Sequence, residues 1–550
     1  MWGMFKERHL KIVAKCCILY QEAELYFKED ELKKLADPSD CVNLVYNHIY
    51  KLTTFKDIIA DTQDRKSNIT SDIIRIEGND YFLRDNYLNA LEKYTKSIAS
   101  AENGSSYLAL AYANRSACLF KGKYYKECLQ DINRALSLDY PEKLKPKLLK
   151  RKMDAESQKH MQKQVRFYRK PPVIRSKNPL ISCAEDSIEI QYNKKYGRHI
   201  IATRDINIGE VLSVENSFCH VVCPESKYIH CHECLELCFN MIPCQNCTGA
   251  LYCSEDCRSN AFKGYHKYEC QFPKFLCIDP RMMMFIKLTL IGMDDSKKTK
   301  AELPDDIHRS DSFKEIIKLQ THDKECGSMT LYTTATIASI AYHVLKENQE
   351  FASKYNTDED DLNLKKLLFK TFLITTFISF LISKMFNINI INSKELGHAL
   401  YAFTSLYNHS CVANAQYFHH GSSIVTRAIA SIKKGEQITI SYGLTFDNQS
   451  RAYRQKILKE LYLFECDCKA CTNNWPTGDN LPFGKEIPLS FILNLEPSQE
   501  YNEELDQFIL NKCKRLYYQL KNYEPCQNLL ILQYNIAQVY RHEACSEVKF

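Results

Sequence analysis

The sequence predicts an α+β multidomain chain: a helical, repeat-containing N-terminal region, a β-rich domain split by a cysteine-dense segment and a helical insert, and a helical C-terminal region. Three observations predict it. Two segments between residues 71 and 160 align with each other as helix pairs, the mark of a stacked repeat. Runs that alternate apolar and polar residues, "IEIQYN", "HIIATRD" and "GEVLSVENSF" on one side and "SSIVTRAIA" and "QITISYG" on the other, flank a long helical pattern from about 280 to 386. Cysteines crowd into 231–270 and again into 466–471.

Bulk properties narrow the class. A chain of 550 residues suggests about three or four folding units, and 45% hydrophobic with 25% charged residues is a globular composition. The net charge of +6 is small for the length and gives no general case for nucleic-acid binding. The basic run Lys159 to Lys177 reads as a solvated linker. Charges interrupt every apolar run of "MWGMFKERHLKIVAKCCILYQEAE", so the start lacks the apolar core of a secretory signal and the chain reads as intracellular. The most apolar segment, Thr371 to Ser383, is shorter than the ~20 residues of a membrane span and is expected to be a buried helix. Twenty-five cysteines in such a chain argue for thiolate metal ligands over a disulfide framework.

Along the chain, residues 1 to about 65 read as helical. In the repeat, Ala90, Tyr94 and Ser97 of the first unit match Cys128, Ile132 and Ala135 of the second, and Pro141 closes it. Small residues at helix crossings with a larger apolar residue four later are what stacked helix pairs require. The pattern resembles tetratricopeptide repeats, at an offset of 38 residues where about 34 is usual. A third, partial unit begins near "KLKPKLLKRKMDAESQK". Gly197 and Gly209 then divide the first strands.

In the first cysteine cluster, Cys231/Cys234 and Cys244/Cys247 are C-x2-C pairs, Cys253/Cys257 is C-x3-C and His266/Cys270 is H-x3-C. The short pairs let two thiolates converge on one cation, and the i, i+4 spacing puts His266 and Cys270 on one helix face. Eight ligands make two tetrahedral zinc sites. An interleaved arrangement, Cys231, Cys234, Cys253 and Cys257 on one ion and Cys244, Cys247, His266 and Cys270 on the other, would tie a region with almost no apolar core into a rigid module. Cys219, His220, Cys223, His230, His232 and Cys238 fall out of register. The cluster resembles a MYND zinc finger, a type that generally binds proline-containing peptides, and no sequence-specific nucleic-acid binding is expected from it.

The segment "LYLFECDCKAC" supplies Cys466, Cys468 and Cys471, one ligand short of a tetrahedral site. "LYNHSC" near 411, followed some distance later by "CDC-x2-C", resembles a SET domain and its post-SET zinc loop; "KKYGRHIIATRDINIGE" and "GEQITISYG" resemble the same family's first strand pair and its tyrosine-bearing strand. With the finger between the two halves, the chain resembles the SET-and-MYND family of protein lysine methyltransferases, in its larger member type with N-terminal tetratricopeptide repeats. The boundaries that follow are an N-terminal helical region 1–65, repeats 66–165, the first SET part 185–230, the MYND finger 231–270, a helical insert 271–395, the C-terminal SET part 396–447, the post-SET loop 455–475 and a C-terminal helical region 480–550.

The resemblance implies transfer of the methyl group of S-adenosylmethionine to a lysine ε-amine, with three zinc ions, two in the finger and one in the post-SET loop, where Cys411 supplies the missing ligand. It implies that Tyr442 is the catalytic tyrosine at the methyl-transfer channel and also meets the cofactor. Asn408 and His409 would bind the cofactor's amino-acid end. Gly197, Arg198 and His199 would lie at its carboxylate or ribose, Tyr462 or Phe464 would stack on adenine, and Asn387 would match a cofactor-binding asparagine of the insert. His199 stands where many SET domains carry a second glycine.

In the repeats, Arg75, Asn79, Asn114, Lys147 and Arg151 resemble the carboxylate clamp with which some tetratricopeptide domains hold the acidic C-terminus of heat-shock chaperones, with Arg75 in place of the usual lysine. A cytoplasmic and nuclear protein that acts on protein lysines, with no membrane partner, is the expectation. The alternative is an adaptor in which finger and repeats recruit partners around a weakly active or inactive SET scaffold.

Overall fold

The computed structural model describes residues 31–544 except 36, 63–64, 164–169, 271–278, 298–306, 384–394 and parts of 485–501. Helix α1 (Pro38–Ile49) starts with Pro in its first turn and an Asp37 side chain that accepts from the Ser39 N–H, and α2 (Thr53–Thr62) follows. Five further helices form an antiparallel succession: α3 (Asn68–Leu83), α4 (Tyr87–Ser100), α5 (Ser106–Lys121), α6 (Tyr125–Leu136) and α7 (Lys145–Ser157). Ser67, Asn86 and Ser105 cap α3, α4 and α5 by accepting backbone N–H bonds. Ala90, Tyr94 and Ser97 on α4 and Cys128, Ile132 and Ala135 on α6, paired by the sequence alignment, are all buried.

The β-rich region begins with β1 (Ile188–Asn193), β2 (Gly197–Ala202), β3 (Val211–Asn216) and β4 (Cys219–Val222). The finger adds the short β5 (Ile242–Pro243), β6 (Leu251–Tyr252) and α8 (Glu255–Ala261). The insert contains α9 (Pro280–Ser296), α10 (Ser328–Glu347) and α11 (Asp358–Ile378), the last started by a reciprocal capping box between Thr357 and Asp360. Then come β7 (Phe380–Ser383), β8 (Glu395–Leu400), β9 (Asn408–His409), β10 (Ala415–His420), β11 (Ser423–Ala428) and β12 (Gln437–Ile440), and the helices α12 (Arg451–Tyr462), α13 (Glu503–Leu520) and α14 (Gln527–Ala544). Strands pair in the orders β1-β2-β12-β9, β10-β11-β3, β4-β8-β7 and β5-β6.

The apolar segment Thr371–Ser383 is not one helix. It is helical to Ile378, turns at Ser379 into extended backbone and continues as β7, paired with β8. The aromatic and β-branched "FLIS" suits a pleated surface, and only the partner strand, distant in the chain, decides the outcome. No helix among the described residues is long and apolar enough to cross a membrane.

Three couplings fix the site's surroundings. Helix α1 buries Val42, Val45 and Ile49 against the insert, where Ser339 Oγ donates to Val42 O at 3.3 Å. The helical succession grips the finger through Arg115, which has no exposure: it donates to Asp131 at 2.7 and 2.9 Å and to Met241 O at 2.9 Å. At the other end, α14 sets the Tyr540 ring tilted against Phe418 of β10 at 5.7 Å, and Tyr517 OH accepts from Ser431 N at 3.0 Å.

Candidate functional site

Strand β9 runs parallel to β12, with Asn408 beside Thr439 and His409 beside Ile440. This brings the 404–411 segment across the chain just before Tyr442. Tyr442 donates its hydroxyl to Tyr407 O at 2.9 Å and its N–H to His409 Nδ1 at 3.1 Å. Its ring lies 5.3 Å from that of His409 and 5.0 Å from that of Tyr462. Burial, then the neighbouring Tyr462, pushes the Tyr442 phenol up and keeps it protonated; burial draws His409 down to about 4 and keeps it neutral.

A cavity of about 2190 Å³ opens beside this crossing. Gly197, Arg198, Asn408, His409, Tyr442, Tyr462 and Phe464 all line it. Gly197 has φ +64° at the turn between β1 and β2, and a Cβ there would meet nothing within 4 Å, so glycine serves the turn's conformation and not a close approach. Asn408 Nδ2 donates to Tyr196 O at 3.2 Å and ties that turn to the crossing. Arg198 points to the insert, donating to Lys318 O at 2.9 Å and facing Glu315 at 3.4 Å. His199 is buried with its Nδ1 2.9 Å from Gly197 O, and does not line the cavity. Asn387 lies outside the described residues.

Twelve of the cysteine and histidine side chains gather as three sets whose ligand atoms lie within 4.8 Å of one another: Cys231, Cys234, Cys253 and Cys257; Cys244, Cys247, His266 and Cys270; and Cys411, Cys466, Cys468 and Cys471. Sulfur separations of 3.6 Å for Cys234–Cys253, 3.6 Å for Cys244–Cys270, 3.6 Å for Cys411–Cys471 and 3.9 Å for Cys411–Cys466 match the edge of about 3.8 Å of a tetrahedron with Zn–S bonds of about 2.3 Å. The donor sets fit zinc. His266 Nε2 faces Cys244 and Cys247 at 3.2 and 3.5 Å, while its Nδ1 meets Glu269 at 3.0 Å, the carboxylate contact that orients a ligand imidazole.

The SET domain family model matches residues 197–443. A protein named "Protein-lysine N-methyltransferase SMYD4" from Danio rerio is 24% identical over 571 residues, covering 86% of this chain and 74% of its own length. The Homo sapiens protein of that name is 24% identical, covering 72% of this chain and 66% of its own, and "Histone-lysine N-methyltransferase SMYD3" of Homo sapiens is 27% identical over 53% of this chain and 63% of its own. The chain thus carries a SET domain and is similar over most of its length to proteins named SMYD4. A solved structure described as the SET domain of LSMT bound to lysine and AdoHcy aligns over 65% of the chain and 84% of its own at 11% identity and a TM-score of 0.24, a likeness too slight to argue from.

Four supporting side chains lie outside the motifs read from the sequence. Arg454, fully buried, donates to Cys471 Sγ at 3.7 Å. His232, out of register with the finger ligands, meets Glu269 at 3.2 Å and so braces the carboxylate behind His266. Asp467 accepts from Lys195 Nζ and from Tyr196 OH at 3.1 Å, joining the post-SET loop to the β1–β2 turn. Glu269 had one signal, its place three residues after a ligand histidine; the others had none.

The five residues singled out in the repeats are brought partly together. Asn114 Nδ2 and Tyr94 OH both donate to Asn79 Oδ1 at 2.9 Å, and Arg75 and Arg151 both act on Tyr94. Arg151 donates to Ala113 O at 2.7 Å and Ser116 Oγ at 2.8 Å, Arg75 pairs with Asp72 at 2.6 Å, and Lys147 is exposed.

Proposed function

We propose that this protein is an S-adenosylmethionine-dependent protein-lysine N-methyltransferase. The observation that carries the reading is the convergence of Asn408, His409 and Tyr442 on one cavity, within a SET domain whose relatives are named lysine N-methyltransferases. The site fits such a donor: the Asn408 amide for its amino-acid end, and the rings of Tyr462 and Phe464 for its base. When bound, the donor supplies an electrophilic methyl group on a sulfonium.

The chain's own part is positioning and desolvation. Tyr417, Tyr442, Tyr462 and Phe380 line the cavity with aromatic surface, which disfavours an ammonium and lets the lysine amine enter as a neutral nucleophile. Tyr442 OH and Tyr407 O form a polar pair beside it that orients the amine. The protonated phenol serves as an orienter and not as a base. His409, neutral and bonded through Nδ1 to the Tyr442 N–H, holds the tyrosine's backbone in place.

Calorimetry with S-adenosylmethionine and transfer of labelled methyl to protein lysines test the reading together. Tyr442→Phe should lower turnover by ~10²-fold with donor affinity nearly unchanged. Wild-type protein that binds no donor would leave the adaptor reading in its place.

The same reading takes the three donor sets as three zinc sites and α3 to α7 as tetratricopeptide pairs. Antiparallel packing and the burial of the aligned positions support the repeats. The grouping of Asn79 and Asn114 with Arg75 and Arg151 around Tyr94 supports a face that receives an acidic C-terminal peptide of a chaperone.

A further inference from the structure

A fourth group of donor side chains lies outside the three sets and outside the cavity. Cys223 follows β4, while Glu395 and His398 belong to β8, its antiparallel neighbour. Val221 lies opposite His398, so Cys223, two residues on, shares the face of His398. Plain strand alternation would send Glu395, three residues before His398, to the other face. A bulge corrects this: β8 places Glu395 and Gly397 against the consecutive Ser383 and Ile382 of β7, and the extra residue, Leu396, turns Glu395 to the face of His398. Gly397 allows the strands to close, since a Cβ there would lie 2.2 Å from Val221 O. One thiol, one carboxylate and one imidazole thereby come within 4.8 Å of one another.

The surroundings favour a cation. Cys223 has no exposure, and the carboxylates of Glu395, Glu225 and Asp279 act on it. The near guanidinium, Arg281, is taken by Asp279 at 2.6 and 3.0 Å. The His398 Nδ1 stands 3.4 Å from Ser379 Oγ, a contact that orients the imidazole.

We propose that Cys223, Glu395 and His398 bind a zinc ion of their own. A thiolate, an imidazole and a carboxylate form a borderline-soft set that suits zinc over calcium or magnesium, and three protein ligands leave room for water. The ion would staple β4 to the bulged start of β8. Leu381, opposite His398 on β7, lines the cavity, so the staple stands beside one cavity wall. The proposal does not depend on the methyl-transfer reading.

Zinc content of the purified full-length chain, and its cadmium NMR spectrum after metal exchange, test this. Cys223→Ser, His398→Asn and Glu395→Gln should each lower zinc by about one ion per chain at unchanged circular dichroism. Each should also remove a cadmium resonance lying upfield of those from the thiolate-rich sites, as a one-thiolate site requires. Because Cys223 is buried, the half-buried His398 and exposed Glu395 variants decide the matter if Cys223→Ser does not fold. The proposal is overturned if both folded variants keep the wild-type zinc content and spectrum.

Discussion

Glu215, on β3, has no exposure, and its carboxylate accepts from Phe403 N at 2.8 Å, Thr404 N at 2.7 Å and Thr404 Oγ1 at 2.7 Å. It thereby holds the short turn Thr404–Leu406, which delivers the Tyr407 carbonyl to the Tyr442 hydroxyl. Burial pushes the carboxyl up to about 7 against those bonds. The folded state thus binds a proton more readily than the unfolded chain, whose carboxyl titrates near ~4.3. Stability therefore falls as pH rises through the window from about 4.5 to about 7 and is level above it. Between about pH 5 and 8, urea unfolding of wild type relative to Glu215→Gln should lose about 2–3 kcal/mol; a pH-independent difference between the two would refute the assignment. At this scale a short local motif in the sequence pointed to Tyr442, Asn408 and His409, and all three line the cavity. It did not show Glu215, whose partners lie some 190 residues away in the chain.

The β1–β2 turn and the post-SET loop form one clasp over the cavity. Asp467 stands between Cys466 and Cys468, so a metal held by that set would fix where its carboxylate points, and that carboxylate receives Lys195 and Tyr196. Asn408 holds the same turn from the other side through Tyr196 O. Asp467→Asn should weaken donor binding by about 2–5-fold, the scale of an exposed ion pair, with zinc content intact, whereas Cys411→Ser should lose zinc and weaken binding together. Equal calorimetric affinities for Asp467→Asn and wild type would show the clasp to be idle. Elements with one exposed face were legible, since β1, β2, β3, β11 and β12 each carry alternation or flanking turn residues. The end of α11 at Ile378 and the bulge of β8 were not, because partner strands impose both.

Across the whole molecule, helices, finger and SET domain share their interfaces. Arg115 binds Asp131 and a finger carbonyl in one buried site, Arg134 donates to Asn240 O at 2.7 Å, and Tyr124 packs edge-on against Phe239 at 5.0 Å. The face bearing Asn79, Asn114 and Arg151 belongs to this joined body, with Lys147 at its exposed rim. A peptide ending Glu-Glu-Val-Asp should bind there, and Lys147→Glu should weaken it by at least about tenfold in a fluorescence titration, as a reversed charge opposite a carboxylate implies; equal binding by both proteins would sink this reading. Taken alone, the sequence determined which residues gather in each cysteine-rich cluster and the periodicities of helices and strands, since spacing within about ten residues encodes both. Only the tertiary structure decided that Arg198 turns to the insert while His199 is buried away from the cavity, and that Cys223 joins Glu395 and His398. Each of those outcomes depends on strand order, register or a bulge, and these are set by contacts between segments that are far apart in the chain.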